Sequence, residues 1–230
     1  MFPSSQGAVQ ENGQKSGLRS RKKHRTRLAI QDAALELFAE QGFENTTVEQ
    51  IAAQAEVSTA TFFRYFKSKG DAVFGGESDE RSAMLPALAQ AILERPSHED
   101  DLTAIRKAVM SAWVPLLEPA RLKRHFRAAE SSPLLVGLST NLTVKWQITI
   151  SEGLAKRRGL AVPDHKCRVA AAMALAILTE TANAWVHNDI RGEFAANLDH
   201  GYELMGELCA EWYEAQMSTV SSQADDAIPG

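Results

Sequence analysis

Three observations on the sequence predict an all-α fold. Apolar residues recur at helical spacing through most of the 230 residues. No stretch alternates β-branched and polar residues as a half-buried strand does. The breaks between periodic segments carry Ser, Thr, Asp, Gly or Pro, the residues that start and stop helices. No repeat of solenoid length is present.

The first helix is expected over 26–41, with Ile30, Ala33, Ala34, Leu37 and Phe38 on one face and Gly42 as the terminating residue. Thr47 can cap a second helix, on which Val48, Ile51, Ala52 and Ala55 share a face. Glu56-Val57 is short enough to be only a turn. Ser58 is the next cap, and Phe62 and Phe66 lie four apart on the helix it opens. Two short helices joined by so tight a turn have the layout of a helix-turn-helix, whose second helix enters the DNA major groove.

A fourth helix should start near Ser68 and meet a kink or break at Gly75-Gly76. Periodicity resumes over 80–93 and again over 102–117, where Pro115 interrupts late. A short basic helix spans 121–130. A long helix covers 134–158, with Leu138, Leu142, Trp146 and Ile150 spaced by four. Asp164 caps a helix over 164–188 that contains the Ala-rich run 170–176, suited to close helix packing. The last helix, 193–217, carries Leu198, Tyr202, Met205, Leu208, Cys209 and Trp212 on one side.

The net charge of −4 hides an asymmetry. Residues 1–75 hold ten Lys/Arg against eight Asp/Glu, and Lys15 to Arg27 holds seven basic residues and no acid. The remainder holds fifteen against twenty-one. Such a chain is expected to touch phosphates at one place rather than coat nucleic acid. The polar ends, 1–18 and 218–230, are expected to be disordered tails around a DNA-binding domain over 19–70 and a larger helical domain over 71–217. No secretory leader and no window approaching a membrane span is read, so a cytoplasmic location without membrane contact is expected. Cys167 and Cys209 sit in apolar helical patterns, as buried thiols do. No catalytic Ser/His/Asp or Cys/His set, phosphate loop or metal-ligand spacing emerges, so neither an enzyme nor a cofactor is expected.

Many positions resemble the tetracycline-repressor family of bacterial transcription regulators: Ala33-Ala-Leu-Glu-Leu-Phe38, Gly42-Phe43, Thr46-Thr47-Val48, Ile51-Ala52, Ala55, Val57-Ser58, Thr61-Phe62 and Tyr65-Phe66-Lys67-Ser68-Lys69. The match is specific over about 26–74. Beyond it the likeness is in helix number and length, with a similarity to the subgroup of mycofactocin-system regulators, for which acyl-CoA-like ligands are proposed. The resemblance implies a homodimer on a palindromic double-stranded operator. A C-terminal helical domain would bind a small, mainly apolar effector (an acyl-CoA, a fatty acid or an aromatic compound) whose binding releases the DNA. A repressor is the expected role. The alternative is a helical small-molecule carrier without specific DNA binding.

Ser58, Thr59, Ala60 and Thr61 are small enough to let the recognition helix approach bases. The family's contact pattern adds Phe63 and Tyr65 facing DNA and Thr47 and Lys69 at phosphates. Arg64 brings a further charge toward phosphate or guanine, and Arg25 and Arg27 belong to the basic run 19–27, which beside a helix-turn-helix is expected to meet phosphates and is otherwise a solvated tail. Two positions depart from that pattern: Ala60 stands where Gly is usual and Phe63 where Tyr is usual. For the effector, Trp113, Phe126, Arg127, Trp146, Asn183 and His187 are the candidates. Each is also explicable as ordinary core or, for Arg127 within the run Arg121, Lys123, Arg124, Arg127, as a solvated basic face.

Overall fold

The computed structural model describes the backbone of residues 7–74, 80–187 and 190–225, and side chains from residue 21 to residue 217 apart from 75–83, 188 and 189. Among the described residues every regular element is helical. The chain divides into two compact units, Met1–Ser82 with Ala120–Leu142, and Ala83–Pro119 with Thr143–Gly230.

The first unit holds α1 (Gly7–Gln41), α2 (Val48–Gln54), α3 (Thr59–Tyr65), α4 (Lys69–Phe74), α7 (Pro119–Glu130) and the first part of α8 (Pro133–Arg157). α1 begins well before the start expected from its apolar face. Gln, Lys and Arg favour helix without supplying an apolar stripe, so periodicity marks only the packed half. The backbone of residues 7–18 is therefore helical rather than a disordered tail. Residues 1–6 and the expected break at Gly75-Gly76 lie outside the described residues.

Each junction of this head has a local cause. Gly42 takes φ +83° and donates its N–H to Phe38 O at 3.1 Å, ending α1 in the left-handed conformation that glycine adopts without strain. Thr47 and Gln50 cap α2 reciprocally: the Gln50 N–H donates to Thr47 Oγ1 at 3.2 Å and the Thr47 N–H to Gln50 Oε1 at 2.8 Å. α2 ends as a Schellman turn, with the Glu56 N–H on Ala53 O and the Val57 N–H on Ala52 O. Glu56 occupies the left-handed position of that turn at φ 53°. Ile51, Phe38, Phe62 and Phe66 are fully buried together beneath these turns, and Phe62 and Phe66 lie 5.8 Å apart. Ala128 and Ala129 of α7 and Leu135 of α8 close the same core.

The second unit holds α5 (Glu80–Leu93), α6 (Asp101–Ala108), the remainder of α8, α9 (His165–Val186) and α10 (Phe194–Asp225). The helix expected over 102–117 is instead three pieces. α6 runs into a π-helical turn, Val109–Trp113, and then a 3-10 turn, Val114–Leu116. Pro115 has no N–H and crowds the carbonyl four residues earlier, so the ladder widens and the Val114 N–H bonds to Val109 O. Asp164 caps α9 by accepting the Cys167 N–H at 2.8 Å. Gly201 lets α10 close on α9, since a Cβ there would sit 2.9 Å from Ile177 Cγ2.

Three expectations change here. α9 is long and apolar enough to cross a membrane by length and composition, although the sequence was expected to hold no such window. Half of that window is buried inside the fold, because the Ala-rich run packs against its neighbours. Cys167 is buried as expected, but Cys209 is exposed, because α10 is solvent-facing from Gly206 to Met217. The backbone of α10 continues to Asp225, through much of the expected C-terminal tail.

Candidate nucleic-acid interface and effector cavity

The recognition helix α3 is held from below and capped from its start. Ser58 Oγ accepts the Thr61 N–H at 3.1 Å and donates to Thr61 Oγ1 at 3.0 Å. Phe62 anchors the buried face. Ser58, Thr59, Ala60, Phe63 and Arg64 are exposed, and Thr61 and Tyr65 are half-buried. Phe63 is 56% exposed, a large apolar ring turned to solvent on a polar surface, and it meets Phe62 edge-on at 5.4 Å. Arg64 places its guanidinium 5.4 Å from the Tyr65 ring centre. Thr47 is exposed at the start of α2 and Arg25 on α1.

Two basic candidates are turned inward. Arg27 is buried, with its guanidinium 4.7 Å from the Phe66 ring centre. Lys69 places its ammonium 4.1 Å from the Phe43 ring centre and donates to Phe43 O at 2.6 Å and Thr46 O at 2.9 Å. The sequence could not show these contacts, since Lys69 and Phe43 lie 26 residues apart.

The basic run on α7 is engaged within the same unit. Arg121 donates to Gln31 Oε1 at 2.8 Å and lies 3.3 Å from Asp32 Oδ1, with Arg124 3.7 Å from the same oxygen. Phe126 and Arg127 sit on this helix, and Phe126 meets His125 edge-on at 5.9 Å.

The second unit contains a small apolar cavity of about 10 Å³, roughly the room of one water. Trp113 and Trp146 line it and meet edge-to-face at 5.7 Å. Ile105, Ile150, Leu175 and Tyr202 complete its main walls. Thus two of the six effector candidates share this cavity. Asn183 and His187 lie at the C-terminal end of α9 and are not among the walls. Tyr202 was legible only as one residue of an apolar stripe, which does not distinguish a cavity wall from packed core. Among the described residues no group of His, Cys, Asp or Glu could hold a metal ion.

Comparison with known proteins bears on the whole arrangement. Residues 30–73 match the family described as "Bacterial regulatory proteins, tetR family", and residues 99–210 match that described as "MftR C-terminal domain". The HTH-type transcriptional regulator TcmR of Streptomyces glaucescens is 31% identical over 210 residues, covering 85% of this chain and 90% of that protein.

The chain belongs to the tetR family.

The fatty acid metabolism regulator protein of Bacillus subtilis is 26% identical, over 77% of this chain and 92% of that one. The structure of the transcriptional regulator FadR from Bacillus subtilis in complex with stearoyl-CoA shares the fold. Its TM-score is 0.56 at 23% identity, covering 77% of this chain and 96% of that one. This tetR-family chain is a DNA-binding transcriptional regulator with a helix-turn-helix head, and its relatives are regulators rather than enzymes.

Proposed function

We propose that this regulator is a ligand-responsive repressor that binds a palindromic operator as a homodimer in the cytoplasm. The observation that carries the DNA-reading part is the exposed surface of α3. Its first turn is small and polar, Phe63 stands clear of the head core, and Phe62 and Phe66 fix the helix from the opposite side. Small residues bring backbone close to base edges, and an exposed aromatic ring suits a thymine methyl or sugar.

The outer faces of α9 and α10 support the dimer. Leu204, Leu208 and Trp212 recur at intervals of four on α10, and Trp212 is 66% exposed. Val169, Ala172 and Ala176 form an exposed strip of small and branched residues on α9. A second copy would cover both. Ala174, by contrast, is buried beside the cavity and does not probe the interface.

The aromatic-walled cavity supports a mainly apolar effector. It has room for about one water, so a larger ligand must displace a wall. The π-turn bearing Trp113, followed by a proline, is the segment where the helical ladder is already broken.

A mobility shift on the DNA upstream of the gene tests the reading. Specific, salt-sensitive retention is expected. Equal affinity for that DNA and for scrambled DNA at every salt concentration would overturn it.

A further inference from the structure

Base reading by α3 leaves the basic run at the start of α1 without a role. α1 begins at Gly7, whereas its first buried apolar residue among those described is Ile30. At 1.5 Å per residue, 7–25 amounts to about 28 Å of helix ahead of the packed part. Its sequence supplies no apolar stripe, since Ala8, Val9 and Leu18 are the only aliphatic residues in that stretch. Burial in a core is therefore not what this helix is built for.

Its charge points to a polyanion. No acid occurs between Glu11 and Asp32. Arg21, Lys22, Lys23 and Arg25 are all exposed. Arg21 and Arg25 are four apart and Lys22 and Arg25 three apart, so neighbours on the helix surface repel, and no carboxylate lies within four residues of any of them. A row of phosphates neutralises such a helix and releases its own counterions in doing so. At 100° per residue the four side chains spread over about 200° of the helix circumference, which suits backbone contact from several sides rather than one reading face.

The root of this extension lies at the reading head. Arg27 is buried with its guanidinium 4.7 Å from the Phe66 ring centre, and Phe66 is the residue at which α3 ends. Arg64 and Lys67, on either side of Phe66 in the sequence, are exposed. The extension thus departs from the end of the recognition helix. The seven residues of α3 span about 10 Å, roughly a third of the extension's length.

We infer that residues 7–25 are a second DNA-binding element, a basic helix that lies on backbone phosphates beyond the base pairs α3 covers. It adds affinity without sequence preference. This rests on the reading of the chain as an operator-binding regulator.

The test uses the full chain carrying Arg21→Gln, Lys22→Gln, Lys23→Gln and Arg25→Gln together, since Gln keeps helix propensity while removing charge. Wild type and variant are each put through binding-site selection. Their affinities for the selected operator and for a scrambled duplex of equal length are then measured across salt concentrations. Both duplexes are also made longer by about 10 base pairs at each end. The variant should bind operator and scrambled DNA more weakly by the same factor and select the same sequence. Its log–log salt slope should be shallower by about 0.9 for each removed charge that met a phosphate, roughly 2 to 4 in all. The affinity that wild type gains from the longer duplexes should shrink in the variant. An unchanged slope takes the extension off DNA. A changed selected sequence makes it a base reader and overturns the phosphate role. An equal gain from longer duplexes in both proteins confines its contacts to the span of α3 and overturns the second element. Retention of wild type but not variant on vesicles of phosphatidylglycerol and phosphatidylcholine, with the DNA slope unchanged, assigns the charge to a membrane surface instead. A wild type that binds operator and scrambled DNA equally defeats the operator reading, and the slope on scrambled DNA still decides the extension.

Discussion

Lys69 at the start of α4 donates to the carbonyl of Phe43 at 2.6 Å while its ammonium rests over the Phe43 ring. The same nitrogen also takes Thr46 O, so one side chain fastens the α1–α2 connection to the helix that follows the reading head. A lysine expected at a phosphate is thus already spent on carbonyls of its own domain.

Lys69→Met should therefore act first on stability. Loss of these charge-assisted bonds should lower the head's stability by about 1–3 kcal/mol. Thermal unfolding of the variant, set beside the salt dependence of its DNA affinity, separates the two roles. Unchanged stability with a salt slope shallower by about 0.9 would restore Lys69 to the phosphate.

Thr61→Val and Tyr65→Ala should each weaken operator binding by about 1–3 kcal/mol. Thr61→Val should also relax base preference, and it removes the oxygen that receives the Ser58 hydroxyl. Binding-site selection with each variant checks this. Identical selected sequences for wild type and Thr61→Val would remove Thr61 from base reading.

Phe62→Ala should cost about 3–5 kcal/mol, because the ring is fully buried where α1, α2 and α3 meet. Phe63→Ala, one residue later but exposed, should leave unfolding within about 0.5 kcal/mol of wild type and weaken DNA binding. Denaturant unfolding of both variants reads the contrast directly.

Leu208→Glu and Trp212→Glu should convert a dimer to monomers without unfolding the protomer, since both side chains are exposed within it. Analytical ultracentrifugation at micromolar concentration gives the answer, and a monomeric wild type would defeat the dimer.

Acid should loosen the second unit. The Arg95 and Lys107 side chains hold the Glu99 carboxyl down to about 2, and the Cys167 N–H with Arg158 holds Asp164 to about 2. Both lie below their ordinary values, so the stability they contribute is complete above about pH 4.5 and is lost as pH falls toward 2. Melting temperature from pH 6 to pH 2 should decline across that window. Asp164→Asn, which can still cap α9, should flatten part of the decline.

The sequence by itself determined the helices that have strong local causes. Thr47, Ser58 and Asp164 announced helix starts, Gly42 announced a stop, and the spacing of Phe62 from Phe66 fixed which face of the recognition helix is buried. Each signal acts within one or two turns, so it survives without knowledge of the partner helix. Tertiary structure decided what distance in sequence conceals. It turned Arg27 and Lys69 inward onto Phe66 and Phe43, and it set Asp32 of α1 against Arg121 of α7. It widened the helix before Pro115 into a π-turn that carries Trp113 to Trp146. It set Tyr202, one residue of an apolar stripe, at the wall of a cavity. The physical reason is common to all of these. Helical periodicity records that a side chain faces inward, whereas its charge pairing, its ring contacts and the space beside it depend on residues contributed by other helices.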